Sequence, residues 1–444
     1  MRFRGFSAVL AVVCSIFSAS AADRVSERVL LVRDKPGTQT KFHMIINAGC
    51  LDEADGQCRG LAHYLEHLVL VGRNPEHRDS AMRMFGDGGA NGWTNLRETV
   101  YLHNVPARSE GPRADLEKLF SFYAARLKEF SISEDEALRE RNVVLQEHDW
   151  RVQSQPYRLA GRDVWRKVLP DHPSGQWTIG TREDIKAFTL DQARAYHRNW
   201  YGVNNAWFVV SGDVEPALLK EIADKALAGL EPKVLPGRNF ARRPEFGTER
   251  IDQVISGAQF RVPQAWVIRL VRMAEPDRAK NRAARAILMA FLHSELPGSP
   301  TDVLVRDKKL AASIAGVWNG RVAPETFALD IEANAAPDVQ TVALREAIIG
   351  YVDTLGSGDA LSDAVVERLK ARMLRNLEQT AKEPAREYRQ LITWLANRNT
   401  LDELKAWPAT AAAVTGQDVR DIAKAFAGQG RTVTARFDTA GAAK

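Results

Sequence analysis

From Arg28 to Val32 and from Thr40 to Ala48, branched and aromatic residues crowd together as they do in strands, and Lys35-Pro36-Gly37 between them carries turn chemistry. A hairpin is therefore expected at the start of the folded chain. Apolar residues then recur with a helical period over 60–71, 78–85, 113–128, 133–153 and 190–198, with strand-like runs at 99–105 and 206–211. Residues 231–249 hold three prolines, several charges and no sustained period, which marks a linker. Beyond it the order repeats coarsely, with strands at 265–271, 312–318, 326–333 and 432–437 and helices at 278–293, 339–354, 362–378 and 385–395. The pattern predicts an α+β fold of two similar α/β-sandwich domains, 22–230 and 250–444, joined by 231–249; the shared element order hints at duplication.

The first 21 residues read as a targeting segment. Arg2 and Arg4 precede an apolar run from Phe6 to Phe17, and Ala19-Ser20-Ala21 supplies the small residues of a cleavage site. A secretory signal cleaved after Ala21 places the mature chain in the periplasm or outside the cell. The apolar run is about a dozen residues, short of the roughly 20 that span a bilayer, and no later stretch is longer, so stable membrane insertion is not expected.

Composition narrows the classes further. With 45% apolar and 26% charged residues the chain is ordinary globular protein, which excludes collagen-like, coiled-coil and disordered readings. The net charge of +5 is a small surplus for 444 residues, and no aromatic-basic stripe accompanies it, so no nucleic-acid partner is expected. Cys50 and Cys58 flank a loop rich in Asp, Glu and Gly in a chain expected to enter an oxidising compartment. Their spacing leaves open a local disulfide or two buried thiols.

The stretch that carries chemistry is Gly60-Leu61-Ala62-His63-Tyr64-Leu65-Glu66-His67-Leu68. On a helix, positions i and i+4 share a face, so His63 and His67 can grip one cation while Glu66 stands close to any water bound there. The pattern H-x-x-E-H inverts the commoner zinc-peptidase helix H-E-x-x-H. A catalytic zinc needs three protein ligands and an open position, so a third ligand must come from elsewhere. Glu140 and Glu147 are seven apart on one face of the helix expected from Ser133, with Val143 and Val144 between them on the expected core side. Read alone, these two carboxylates fit a metal site or a solvated acidic edge paired with Arg141 or Arg151.

Together, GLAHYLEHLVLVG, ANGWTNLRETVY and ERNVVLQEHDWR resemble the three N-terminal motifs of the pitrilysin/insulinase family of inverted zinc peptidases, in that family's order and near its spacing. Weaker echoes are His172-Pro173, Ile179-Gly180-Thr181 and the segment from Tyr196 to Val214. The resemblance implies one zinc ion per chain, held by His63, His67 and Glu147, with Glu66 as general base and Glu140 as an additional acidic residue near the metal. It implies that Asn91, Gly92 and Thr94 lie on an edge strand that pairs with an extended peptide, with Gly92 where the family usually has Ala. Trp93 fits a subsite wall or, more simply, a core aromatic. In the second half the match is looser: Arg306 stands in the place of a substrate-holding Arg, whereas Ser313 stands where the family often has Tyr.

Members of the family enclose substrate between two clamshell halves, each built from two such domains. This chain corresponds to one half, so the resemblance implies a homodimer or a heterodimer with a related half-length subunit. The function it implies is a zinc-dependent endopeptidase acting on short or unfolded peptides. The competing reading is a metal-binding, non-catalytic subunit that supports an active partner, and the intact set of His63, Glu66, His67 and Glu147 argues against it.

Overall fold

The computed structural model describes residues 22–54, 57–71, 89–105, 111–170, 172–238, 243–257 and 259–438. The expected signal segment 1–21 and the expected helix at 78–85 lie outside them. Strands β1 (Ala22–Ser26), β2 (Val29–Arg33) and β3 (Lys41–Ile46) come first, then helix α1 (Leu61–Val71), β4 (Ala90–Thr94) and β5 (Thr99–Asn104). Helices α2 (Arg113–Lys128), α3 (Glu134–Ser154), α4 (Pro156–Val168), α5 (Arg182–Ala187) and α6 (Leu190–Trp200) follow, then β6 (Ala206–Gly212) and α7 (Pro216–Leu227). The rest of the chain supplies β7 (Arg250–Ser256), β8 (Gln264–Arg272), α8 (Arg278–Leu292), β9 (Ala311–Ala323), β10 (Thr326–Ala335), α9 (Thr341–Asp353) and α10 (Asp363–Lys382). It ends with α11 (Pro384–Ala396), α12 (Leu401–Ala412), α13 (Gly416–Ala427) and β11 (Arg431–Asp438).

The first sheet runs β1-β2-β6-β3-β5-β4. The expected β2–β3 hairpin is not formed, because β6 lies between them, parallel to β2 and antiparallel to β3. Val29 to Val32 are all buried, so β2 is an interior strand with both faces covered. The hairpin partner of β2 is instead β1, a strand the sequence pattern did not reveal. One sheet face packs α1, α2, α6 and α7 through Phe42, Phe208, Leu65, Phe120, Tyr196 and Ile222. The other packs α11 through Tyr388, Leu391, Ile392 and Leu395.

The second sheet runs β7-β11-β8-β10-β9, with β7 parallel to β11 and every other neighbour antiparallel. That is the order and sense of β2-β6-β3-β5-β4 in the first sheet. The chain is thus two α/β sandwiches of one topology, and the repeat is visible in strand pairing rather than in matched residues.

The compact units are not continuous in sequence. The first takes Met1–Trp150, Trp177–Asn239 and Leu377–Lys405, and the second Arg151–Gln176, Phe240–Asn376 and Ala406–Lys444. Relative to the linear split at 231–249, α4 goes to the second unit, where Ala160, Val164 and Val168 pack on Ile268, Leu270 and Phe437. Helix α11 goes to the first. Each sheet is closed on one face by a helix from the other half of the chain, and such an exchange has no periodicity signal because α4 and α11 are amphipathic wherever they dock.

Among the described residues no helix is long and apolar enough to cross a membrane.

Candidate metal centre

Helix α1 buries Leu61, Ala62, Leu65, Leu68 and Val69 in the first unit's core, which leaves His63, Glu66 and His67 to the remaining face. Two contacts fix its pose. Tyr64 donates its hydroxyl to the Ala137 carbonyl of α3 at 2.6 Å, and Arg126 donates Nε to the Val69 carbonyl at 2.7 Å. At the N-terminus of α3 the Ser133 hydroxyl accepts from the Glu136 amide at 3.3 Å, a helix start legible in the sequence. Val144 is fully buried whereas Val143 is 41% exposed, so only one of the two expected core valines is in the core. That rotation turns Glu140 and Glu147 toward α1.

The side chains then converge. Glu147 Oε2 lies 3.4 Å from His63 Nε2 and 3.4 Å from His67 Nε2, and Glu140 Oε2 lies 3.6 Å from His67 Nδ1. Ligand atoms of His63, His67 and Glu147 all fall within 4.8 Å of one another. Tetrahedral ligands at zinc bond lengths stand about 3.3–3.4 Å apart, so the two measured separations match a zinc site with one position left open. Glu140, on the far nitrogen of His67, is placed to orient that ring and not to ligate. The solvated-edge alternative fails for Arg141, which donates to the Phe188 carbonyl at 2.8 Å.

Electrostatics favour a cation here. Burial alone disfavours a charged His67, yet the carboxylates of Glu140 and Glu147, with Glu66 behind them, outweigh it and push the His67 imidazole up to about 9 in the absence of metal. A pocket that protonates its own histidine is one that a divalent ion can neutralise instead.

Glu66 is 4% exposed and accepts the Thr94 hydroxyl on Oε2 at 2.6 Å. Its other oxygen lies over Gly92, where a Cβ would sit 2.6 Å from Oε1. Glycine at 92 therefore leaves room for this carboxylate pose. Among the described residues, strand β4 is the outermost strand of the first sheet and pairs with β5. Asn91 is exposed on it and accepts the Gly92 amide on its own Oδ1 at 2.8 Å, while Trp93 stacks edge-on against His43 in the layer under α11. Thr94 turns inward, so its side chain serves Glu66 and not the open edge.

Arg306 lies in the second unit, with its guanidinium on the Glu295 carboxylate and on the Glu295 carbonyl at 3.1 Å. Ser313 accepts from the Asn334 amide at 2.9 Å. Cys50 and Cys58 are joined as a disulfide, with Cα atoms 4.8 Å apart. The sequence reading missed Glu53 inside that loop, which is 2% exposed and bonded to the start of α1. No local signal could have found it, because Glu53 stands eight positions before Leu61, well outside the first turn of the helix.

The chain is similar to known proteins in sequence and in fold. A model of "Insulinase (Peptidase family M16)" matches residues 28–181, and one of "Peptidase M16 inactive domain" matches 187–373. A "Zinc protease PqqE" of Helicobacter pylori is 27% identical over 348 residues, covering 76% of this chain and 75% of that protein. The crystal structure of a protease from Helicobacter pylori superposes with a TM-score of 0.75 at 21% identity, covering 92% of this chain and 96% of that one. The periplasmic protease PqqL from Escherichia coli superposes at 0.73 and 17% identity over 95% of this chain, which spans 48% of PqqL. At these identities the structural likenesses speak for the fold.

Proposed function

The chain belongs to peptidase family M16, the insulinase family of zinc peptidases, and from that premise we propose that it is a zinc-dependent endopeptidase for short or unfolded peptides. The observation that carries the reading is the convergence of His63, His67 and Glu147 at zinc-ligand spacing, with the Glu66 carboxylate held one side chain away by Thr94. His63 and His67 would hold the ion through Nε2 and Glu147 through Oε2. Bound there, zinc supplies a Lewis acid for the scissile carbonyl and lowers the pKa of a water at its open position.

The chain's own residues do the rest. Glu66 takes the proton of the attacking water and passes it to the leaving amine. Glu140 holds His67 by its far nitrogen, so that Nε2 keeps its lone pair for the metal. The edge of β4 at Asn91 and Gly92, outermost among the described residues, would pair its backbone with an extended peptide once Asn91 releases the Gly92 amide, which gives affinity with little dependence on side chains. Arg306 is proposed to hold substrate as well, which would require it to leave Glu295.

The chain spans 48% of PqqL, and a second half, either another copy or a related subunit, is proposed to close a chamber over the site. The periplasm is the proposed compartment. Its support is the expected leader at 1–21, the Cys50–Cys58 disulfide and the likeness to a protease called periplasmic.

The deciding experiment is hydrolysis of a mixed pool of unstructured peptides by the purified chain, with zinc content and oligomeric state read on the same sample and a chelator control. Chelator-sensitive cleavage at about one zinc per chain is the expected result. Zinc without cleavage would point to a missing partner half, and cleavage that survives metal removal would overturn the reading.

A further inference from the structure

The Glu53 carboxylate accepts three backbone amides, that of Arg59 on Oε2 at 2.7 Å and those of Gly60 and Ala62 on Oε1 at 3.1 and 3.0 Å. The first amides of any helix have no partner within it, and carboxyl oxygens that accept from them supply what the helix cannot. For α1 that carboxylate arrives from outside the helix, out of the loop closed by Cys50 and Cys58. Ala62 directly precedes His63, so the backbone that Glu53 holds is the backbone that presents the first metal-facing imidazole.

The two ends of the loop are held differently. At the Cys50 end, the amides of Cys50 and Leu51 donate to the Asn95 and Leu96 carbonyls at 3.1 and 2.9 Å, in the turn that follows Thr94. The Gly49 carbonyl takes the Tyr196 hydroxyl at 2.7 Å and the Asp52 carbonyl the Trp200 indole at 2.9 Å. The buried Asp52 carboxylate pairs with Arg238 at 2.8 Å and with Arg398. At the Cys58 end the chain runs through Arg59 and Gly60 into α1 and is held there by the Glu53 carboxyl. Backbone packing is close there too: a Cβ on Gly60 would stand 2.2 Å from the Ile179 carbonyl oxygen, and one on Gly180 1.7 Å from that of Arg59. The disulfide thus ties the well-anchored end to the end that leads into the metal helix.

We propose that Glu53 is a positioning residue for the metal helix and that the Cys50–Cys58 bridge keeps it in place, so that the closed loop sets where His63 stands and how tightly zinc binds. The proposal rests on the metal-site reading above. It makes the bridge part of the site: a chain without it folds around the same ligands but holds the ion less firmly. Because the same anchor fixes the turn after Thr94, the loop references both sides of the site, the ligand helix and the strand that holds Glu66, to one point.

The test compares the full chain with Cys50→Ser/Cys58→Ser and with Glu53→Ala, by amide hydrogen exchange on metal-free protein and by zinc affinity in competition with a chromogenic chelator. In both variants the amides of Arg59, Gly60 and Ala62 are expected to exchange at least about ten-fold faster while those of β3 and β6 do not change. Zinc affinity is expected to fall by about 10- to 100-fold, the usual cost of losing a group that orients a ligand. Affinity within two-fold of wild type in both variants overturns the proposal, even if exchange rises, since Glu53 would then be only a helix cap. Where a variant fails to fold, Glu53→Gln decides: it keeps Oε1 for Gly60 and Ala62 and loses the acceptor for Arg59, so a smaller loss of affinity supports the proposal and none refutes it. A wild-type chain that binds no zinc defeats the metal reading itself, a result distinct from any difference between variants.

Discussion

The hydroxyl of Thr94, on the edge strand β4, donates to the carboxylate of Glu66, on the helix α1, at 2.6 Å, and both groups are buried. A carboxylate that must collect a proton from water and deliver it to an amine gains from having one oxygen fixed and the other directed at the reacting atoms. Thr94→Val removes the donor and keeps the shape. We expect kcat to fall by about ten- to a hundred-fold with KM and zinc content little changed, and Thr94→Ser to recover most of the loss. A fall in KM and kcat together, or a serine variant as poor as valine, would make Thr94 a packing residue.

Gly92 works on the same carboxylate from the opposite side. Its missing side chain leaves the space that Glu66 Oε1 occupies, since a Cβ there would approach to 2.6 Å. Gly92→Ala is expected to displace the carboxylate and lower turnover without loss of zinc. Full activity in this variant would show that Glu66 has a second productive pose.

The metal-binding roles separate in the same way. Glu66→Gln should keep zinc and lose turnover, whereas His67→Ala and Glu147→Ala should lose zinc. Glu140→Gln should weaken zinc by about 10- to 100-fold without abolishing it, because Glu140 touches the ion only through His67. Metal analysis of dialysed samples distinguishes these outcomes, and unchanged zinc in the Glu147 variant would remove it from the ligand set.

The parts of this site that could be read from sequence are those set by helical spacing. His63, Glu66 and His67 fall within one turn and Glu140 and Glu147 two turns apart, so their grouping follows from 3.6 residues per turn once the helices are placed. Contacts between distant segments have no such rule. Nothing in Thr94 alone announces a bond to Glu66, and nothing in Glu53 announces that it reaches back to α1. The β2–β3 hairpin failed for the same reason, since a turn at Lys35-Pro36-Gly37 fits a tight hairpin and a wider connection around β6 equally well. Helix α4 is not among the expected helices; it begins at Pro156, and proline at the first helical position is well tolerated.

Three buried histidines give the stability of the metal-free protein an acid-sensitive part. Burial pushes the His43 imidazole down to about 4 and those of His103 and His197 down to about 3. Unfolding returns each to its ordinary value near 6.5, so between that pH and about 4 the unfolded chain takes up three protons that the folded chain excludes. Glu53 acts in the other direction: burial raises it to about 8 against its three amide bonds, so the folded chain keeps a proton that the unfolded chain has lost above its ordinary value of 4.5. Its contribution is greatest in acid and disappears as pH rises toward 8. His67, raised to about 9, is protonated in both states below 6.5 and does not affect the slope there. The carboxyls of Asp330, Glu98 and Glu332 are raised by burial as well and act like Glu53, so each imidazole is tested by itself: between pH 6.5 and about 4 each excluded proton takes away about 1.4 kcal/mol of stability per pH unit of acidification. Denaturant unfolding of wild type and of His103→Gln at pH 6.5, 5.5 and 4.5 measures this, and the variant's stability should fall by about 1.4 kcal/mol less per pH unit. An unchanged slope in the variant would mean that His103 is protonated inside the fold, which its burial does not favour.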